Sequence, residues 1–493
     1  MSSQSYDVIV IGGGAVGENA ADRTAQGGLR TVVVESDLVG GECSYWACMP
    51  SKALLRSGAA LAAARRVPGA AEAVTGTLDV RAALNQRDSI ASHWKDDGQA
   101  KWLDSAGIDL VRGHARLTGT KQVTVTAADG TVTVLTATHA VVVSTGSAAL
   151  LPDIPGLKDV EPWTSRDATS AQEIPVSLAV IGGGVVAAEM AAAYAALGST
   201  VTVIARSPLL GGQEPFAGEL VTAALRRTGV TVLVGPSTTE AHRDADGTIA
   251  LTLDDGSTVS AEKVLVAIGR IPRTHDLGLH TVGLEEGDWL AVDDTLLVQG
   301  DSPALAGDWL YATGDVNHRA LLTHQGKYQA RAAGDAIVTR AAGSPVDDAP
   351  WGAHVATADH AAVPQVTFTD PEVASVGLTA ASAVKAGYRI RILDYDLANL
   401  GGASVLAVGY VGKARAIVDL DREVLLGATF VGQDVAELLH SATVAIVGEV
   451  PINRLWHAVP SYPTLSEVWL RLLEAYGRPG STDNDTDTED DDE

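Results

Sequence analysis

Cys43 and Cys48 are the two cysteines of a 493-residue chain, and they stand five positions apart in GGECSYWACMPSKALLR, residues 40–56. A chain of this length that keeps just two thiols and sets them side by side points to thiol chemistry at that place. No export signal is legible: MSSQSYDVIVIGGG lacks a basic start and runs directly into a short apolar strand and glycines. The expected compartment is therefore cytoplasmic, where neighbouring cysteines favour catalysis or redox sensing over a structural staple.

Redox chemistry at a thiol needs an electron source and elements to hold it. YDVIVIGGGAVGENAADRTAQGGLRTVVVE (6–35) reads as an apolar strand, a turn at Gly12, Gly14 and Gly17, a helix, and a second strand ending in Glu35. The first glycine permits the tight turn, the second lets a pyrophosphate approach the backbone, and the third lets helix pack on strand. The phosphates then lie on the helix N-terminus, and Glu35 is placed to accept hydrogen bonds from a ribose.

The pattern repeats at SLAVIGGGVVAAEMAAAYAALGSTVTVIAR (177–206), with Gly182, Gly184 and Ala187 at the same spacing. Two units imply two dinucleotides, or one dinucleotide and a flavin. Here Ala205 occupies the point where an acid grips a free ribose, and Arg206 follows. A cation at that edge favours a 2′-phosphate, hence NADPH over NADH; the plainer reading of Arg206 is a solvated surface arginine. The segment 178–198 is apolar enough to mimic a membrane span. Its glycine triplet and Glu189 fit a strand–turn–helix better, so no span is expected.

Length alone predicts two to four domains. The net charge of −26 is unevenly placed: residues 481–493 hold eight acids and no base, leaving −18 for the rest. That tail has no apolar residue to bury, and disorder is expected over 476–493. The remaining acidity, without a basic stripe, excludes nucleic acid as a partner.

The GGECSYWACMPSK stretch, with VVVSTGSAALLPDIPG (141–156), VLVAIGRIPRT (264–274), LYATGDV (310–316), VTFTDPEVASVGLT (366–379) and PTLSE (463–467), resembles the pyridine nucleotide–disulfide oxidoreductases. That family includes dihydrolipoamide dehydrogenase, glutathione reductase and mercuric reductase. The resemblance runs from residue 6 to about 475. It implies an α/β chain of two Rossmann-like dinucleotide-binding domains, for FAD and NAD(P), plus a C-terminal α+β dimerisation domain. The FAD domain is expected at 1–156 and 276–348, the NAD(P) domain at 157–275 and the dimerisation domain at 349–475. It further implies a homodimer whose active site is shared between subunits.

By the same resemblance Cys48 lies nearer the flavin and Cys43 meets the substrate. Lys52 pairs with Glu189 beside the flavin, and Asp315 takes the ribityl chain. Ala115, Thr145, Gly146 and Gly269 join the cofactor-binding residues. A helix starting beneath the cysteines, with Lys52 nearby, would lower a thiol pKa. No metal site is expected.

The sequence also departs from the family. Its disulfide reductases usually end in His-Pro-Thr-x-x-Glu, the histidine being the acid/base for the exchanging thiol. This chain reads HAVPSYPTLSEVW: Pro463, Thr464 and Glu467 are present, and Tyr462 stands where the histidine should. Histidine titrates near pH 6.5 and tyrosine near 10, so tyrosine is a poor base at neutrality, although a serviceable hydrogen-bond donor. His457 is five residues too early and reads as an ordinary interface histidine. Glu42 replaces the threonine of many relatives, which is unfavourable near pyrophosphate unless it points outward, and SYWA between the cysteines is bulky.

The expected function is an NADPH- and FAD-dependent reductase acting through Cys43 and Cys48 on a disulfide or related electrophile. Mercury transfer is disfavoured because no C-terminal cysteine pair exists to hand over the metal. The alternatives are a quinone reductase working directly from the flavin, and a non-catalytic flavin-bound partner subunit.

Overall fold

The computed structural model describes residues 2–478. Six strands, β1 (Ser2–Ile11), β2 (Thr31–Glu35), β3 (Asp109–Arg112), β4 (His114–Gly119), β5 (Gln122–Thr126) and β6 (Val132–Val143), pair in the order β3-β2-β1-β6-β5-β4. β1 sits centrally and parallel to both β2 and β6. Its Val8, Ile9 and Val10 are fully buried, as an unbroken apolar run in a doubly covered strand should be. The late strand Leu310–Ala312 pairs in parallel with Val141–Val143, so the chain returns to its first sheet after a long excursion.

Helix α1 (Ala15–Gln26) follows β1 through the first glycine turn. Gly12 has φ +101°, and a Cβ there would lie 2.4 Å from the Ser144 carbonyl oxygen. On Gly17 a Cβ would lie 1.9 Å from the Gly12 carbonyl oxygen, so the turn and the helix leave no room for a methyl at either residue.

The excursion builds a second parallel sheet in the order 231–234, 200–205, 177–181, 263–266. The apolar 178–198 segment is the strand Ser177–Ile181 followed by the helix Val185–Ala196. Ala187 is buried at the third-glycine position and keeps its methyl. No helix among the described residues is long and apolar enough to cross a membrane.

A five-stranded antiparallel sheet, ordered 365–367, 372–377, 424–432, 413–419, 390–396, forms the C-terminal unit. Every residue of Val424–Gly432 is buried, with helices Leu439–Val447 and Val468–Tyr476 contributing to the surrounding core. Two Rossmann-like sheets and an α+β unit are the architecture expected. The final helix carries ordered chain to Tyr476, one residue into the expected tail; residues 479–493, which hold its acids, lie outside the described residues.

Candidate active site

A cavity of about 420 Å³ opens where β1, β2 and the N-terminus of α1 meet. Gly12, Gly14, Glu35, Ala115, Thr145, Gly146 and Asp315 all line it, and so does Cys43. Gly17 lies beneath, against Gly12. Glu35 already accepts the Gly13 N–H at 2.7 Å and the Asp37 N–H at 2.7 Å, which fixes the carboxylate at the cavity wall with lone pairs to spare. Asp315 accepts from the Ser147 hydroxyl. The buried Thr145 hydroxyl has no hydrogen-bond partner among the described residues. Native structures seldom leave such a group unpaired, and an orphan hydroxyl beside a glycine cradle fits the FAD that the resemblance implies.

A second cavity of about 710 Å³ lies on the other parallel sheet, lined by Gly182, Gly184, Ala205, Arg206 and Gly269. Ala187 packs behind it in the core. Arg206 is exposed, carries no ion pair among the described residues, and stands at the end of its strand beside Ser207. The buried Thr238 hydroxyl on this wall also has no hydrogen-bond partner among the described residues.

The redox loop lies between these units. Cys43 belongs to the short helix α2 (Gly41–Tyr45), and Cys48 is the first residue of α3 (Cys48–Arg65). Cys48 Sγ lies 3.2 Å from Thr323 Oγ1. The neighbouring Cys43 thiol, Thr323 and the nearby Lys52 cation hold the Cys48 thiol below its ordinary range, and burial opposes them. Cys43 moves the other way, raised by the neighbouring Cys48 and by burial. The two thiols titrate as one coupled pair, whose first proton leaves more readily than that of an ordinary thiol and whose second is held more tightly.

Lys52, one turn along α3, places Nζ 2.8 Å from Glu189 Oε2 on the helix Val185–Ala196. Glu189 is only 4% exposed, and its other oxygen accepts the Phe368 N–H at 2.9 Å. The expected pair thus forms, and a third segment joins it.

The bulky SYWA tetrapeptide is accommodated in two directions. Tyr45 is buried and donates to the Val39 carbonyl at 3.0 Å, while Trp46 lies under the Arg166 guanidinium, 3.9 Å from the ring centroid. Arg166 Nε also donates to Glu42 at 2.5 Å, and Arg273 Nη2 donates to the same oxygen at 2.9 Å. Glu42 does line the cavity, and two cations cover its charge there. The sequence reading missed Thr323, Arg166 and Arg273. Arg273 lies inside the GRIPRT motif, and an acid at 42 was the signal that a cation had to answer it.

Tyr462 and Glu467 are not brought to the cysteines within one chain. Tyr462 is 76% exposed, with its ring packed over Gly401. Glu467 is buried; Oε1 accepts from Arg471 at 2.6 Å and Oε2 has no partner among the described residues. His457 is exposed on the same unit.

Residues 6–334 match the family model for pyridine nucleotide-disulphide oxidoreductase, and residues 363–472 match that family's dimerisation domain. The chain is 32% identical to dihydrolipoyl dehydrogenase of Chlorobaculum tepidum, covering 94% of this chain and 95% of the relative. It is also 32% identical to mercuric reductase of Acidithiobacillus ferrooxidans, covering 94% and 81%. The fold matches the HOCl-induced flavoprotein disulfide reductase RclA of Escherichia coli with a TM-score of 0.80 at 21% identity, over 96% of this chain and 99% of that one. LpdA of Mycobacterium tuberculosis gives 0.80 at 23%, over the same shares. A chain matched along nearly its whole length by both models and by full-length relatives belongs to the pyridine nucleotide-disulphide oxidoreductases, and is an FAD-dependent enzyme of that family.

Proposed function

We propose that this enzyme takes electrons from NADPH and delivers them through Cys43 and Cys48 to a disulfide or related electrophile. FAD, when bound, supplies two-electron transfer between nicotinamide and dithiol. Gly12, Gly14, Glu35, Thr145 and Asp315 would hold it, and Lys52, anchored by Glu189, would stand beside its ring. Gly182, Gly184 and Arg206 would bind the nucleotide, the arginine favouring a 2′-phosphate.

The observation that carries this reading is the place of the two thiols: Cys43 lines the first cavity with Thr323, whose Oγ1 lies 3.2 Å from Cys48 Sγ, and Lys52 follows one turn along the same helix. Both thiols thus stand at the edge of the cavity that would hold the flavin. The matched dimerisation domain supports a homodimer in which Tyr462 and Glu467 serve the partner's cysteines. There Tyr462 would donate a hydrogen bond rather than accept a proton.

Cys48→Ser tests the relay. Anaerobic NADPH should still bleach the flavin, while turnover with the disulfide falls by orders of magnitude; undiminished turnover would defeat the reading. One observation favours direct quinone reduction instead: Tyr462, a poor base at neutrality, stands where a thiol-exchanging base is expected. A panel of disulfides and quinones assayed with wild type and Cys48→Ser separates the two.

A further inference from the structure

The two cysteines stand on separate helices because the chain breaks between them. Trp46 has φ −137° and ψ 0°, and Ala47 has φ −132° and ψ −99°, so α2 does not run on into α3. In an unbroken helix the Trp46 carbonyl would take the N–H four residues ahead. That residue is Pro50, which has none. The last carbonyls of α2 are thus the groups that a helix end leaves in need of donors.

Two side chains from outside the loop supply them. Trp94 Nε1 donates to the Tyr45 carbonyl at 3.1 Å, and the Thr169 hydroxyl donates to the Trp46 carbonyl at 2.8 Å. The same hydroxyl lies 2.9 Å from the Ser165 carbonyl, but that group sits in the helix Ser165–Ser170, whose own backbone serves it. These two contacts fall on neighbouring peptides of the tetrapeptide that separates Cys43 from Cys48.

One guanidinium holds both donors. Arg87, on the helix Val80–Ile90, is fully buried. Its Nη1 donates to the Thr169 carbonyl at 2.5 Å and its Nη2 to the Ala171 carbonyl at 2.8 Å. Its central carbon lies 5.3 Å from the centre of the Trp94 ring, and Asp88 meets its Nε at 2.6 Å. Trp94 also reaches its place through a strained backbone: Ser92, His93 and Trp94 have φ of 49°, 52° and 53°. Side chains disfavour that left-handed region. Such strain persists where the surroundings enforce it, and it gathers at functional sites.

We propose that Arg87 is a positioning residue which, through Trp94 and Thr169, clamps the turn between Cys43 and Cys48 and so favours closure of their disulfide. This role rests on the relay assigned to those cysteines. A disulfide tolerates a narrow range of separations and torsions. A turn pinned at two carbonyls has little freedom to lose when the ring closes, whereas a released turn must give that freedom up. Release therefore favours the open dithiol and raises the midpoint potential. On closing, the two sulfurs bond to one another and the pair gives up two electrons and two protons; opening takes them back.

Equilibration of the holoenzyme with mixtures of reduced and oxidised dithiothreitol measures this closure. Two electrons and two protons pass from the reagent to the cysteine pair as one disulfide opens and the other forms. Acid quenching, alkylation and mass spectrometry then give the open fraction at each mixture. Thr169→Val removes the hydroxyl and keeps its shape, while Trp94→Phe removes the N–H and keeps a ring. Each should favour the dithiol about threefold, as loss of one hydrogen bond implies. Their combination should reach about tenfold, which is about 30 mV. Arg87→Lys, which keeps the charge and loses the forked donation, should shift the equilibrium in the same direction. Thr169→Ser should match wild type. Thr169→Val and Trp94→Phe still decide the question where Arg87→Lys does not fold. A lower melting temperature with an unchanged dithiol equilibrium in those two variants would make the cluster ordinary packing and overturn the proposal. Shifted equilibria alongside undiminished disulfide turnover in Cys48→Ser would instead remove the relay and leave the clamp standing.

Discussion

Lys52 and Glu189, 137 residues apart in sequence, meet at 2.8 Å, and the carboxylate simultaneously accepts the Phe368 N–H. One buried side chain therefore ties the redox helix, the second Rossmann sheet's helix and the approach to the C-terminal sheet. Glu189→Ala should leave a backbone donor unpaired and cost about 1–3 kcal/mol. The expected readout is a drop of several degrees in melting temperature. Glu189→Gln, which keeps an oxygen for Phe368, should recover much of it; an unchanged melting point in the alanine variant would show that the joint carries no load.

The thiol pair gives a signed pH dependence. Cys48 in the folded protein lies well below an ordinary thiol, at about 6. Its thiolate therefore stabilises the reduced fold fully above the unfolded thiol value, near 8.5. That stabilisation fades as pH falls and is gone below the folded value. In the reduced holoenzyme, the melting-temperature advantage of wild type over Cys48→Ser should shrink from pH 9 to 6 and then level off. A constant difference across that range would contradict a thiolate at Cys48.

Arg206 faces the second cavity without an ion-pair partner among the described residues, which leaves its charge available to a phosphate. Arg206→Ala should raise KM for NADPH about tenfold, as expected for loss of one charge-assisted contact, and leave KM for NADH nearly unchanged. Steady-state kinetics with both nucleotides decide it: equal effects would make Arg206 a surface cation.

Glu42 stands on the flavin cavity under Arg166 and Arg273, which come from distant parts of the chain. Removing one arginine leaves an anion less well covered on the cavity that would hold the flavin nucleotide. Arg273→Ala should weaken flavin retention several-fold, read as free-flavin fluorescence during mild guanidinium titration of the holoenzyme. Adding Glu42→Thr should restore it. Failure of the double variant to recover would mean that Arg273 serves only the loop.

The parts of this molecule that sequence made legible are those where backbone geometry dictates residue type. Gly12 and Gly17 announce their turn because a methyl at either would strike a carbonyl oxygen. The alternation of strand and helix around them follows from the same constraint. The Lys52–Glu189 pair came from resemblance, since nothing in the local sequence of either residue points to the other. Thr323, Arg166 and Arg273 were missed because their roles arise only when distant segments converge.

The C-terminal site offers the remaining test. In Tyr462 this chain lacks the family base, and Glu467, which would orient such a base, is engaged by Arg471 at 2.6 Å. Arg471 takes only Oε1, and Oε2 has no partner among the described residues, so an acceptor remains for an imidazole N–H. Tyr462→His should therefore raise kcat/KM on a glutathione- or lipoamide-type disulfide by about tenfold or more, the low end of what a positioned acid/base contributes. Adding Glu467→Gln should remove most of that gain, because the amide orients an imidazolium less well than the carboxylate. No gain from Tyr462→His on any disulfide would show that this site serves something other than thiol deprotonation.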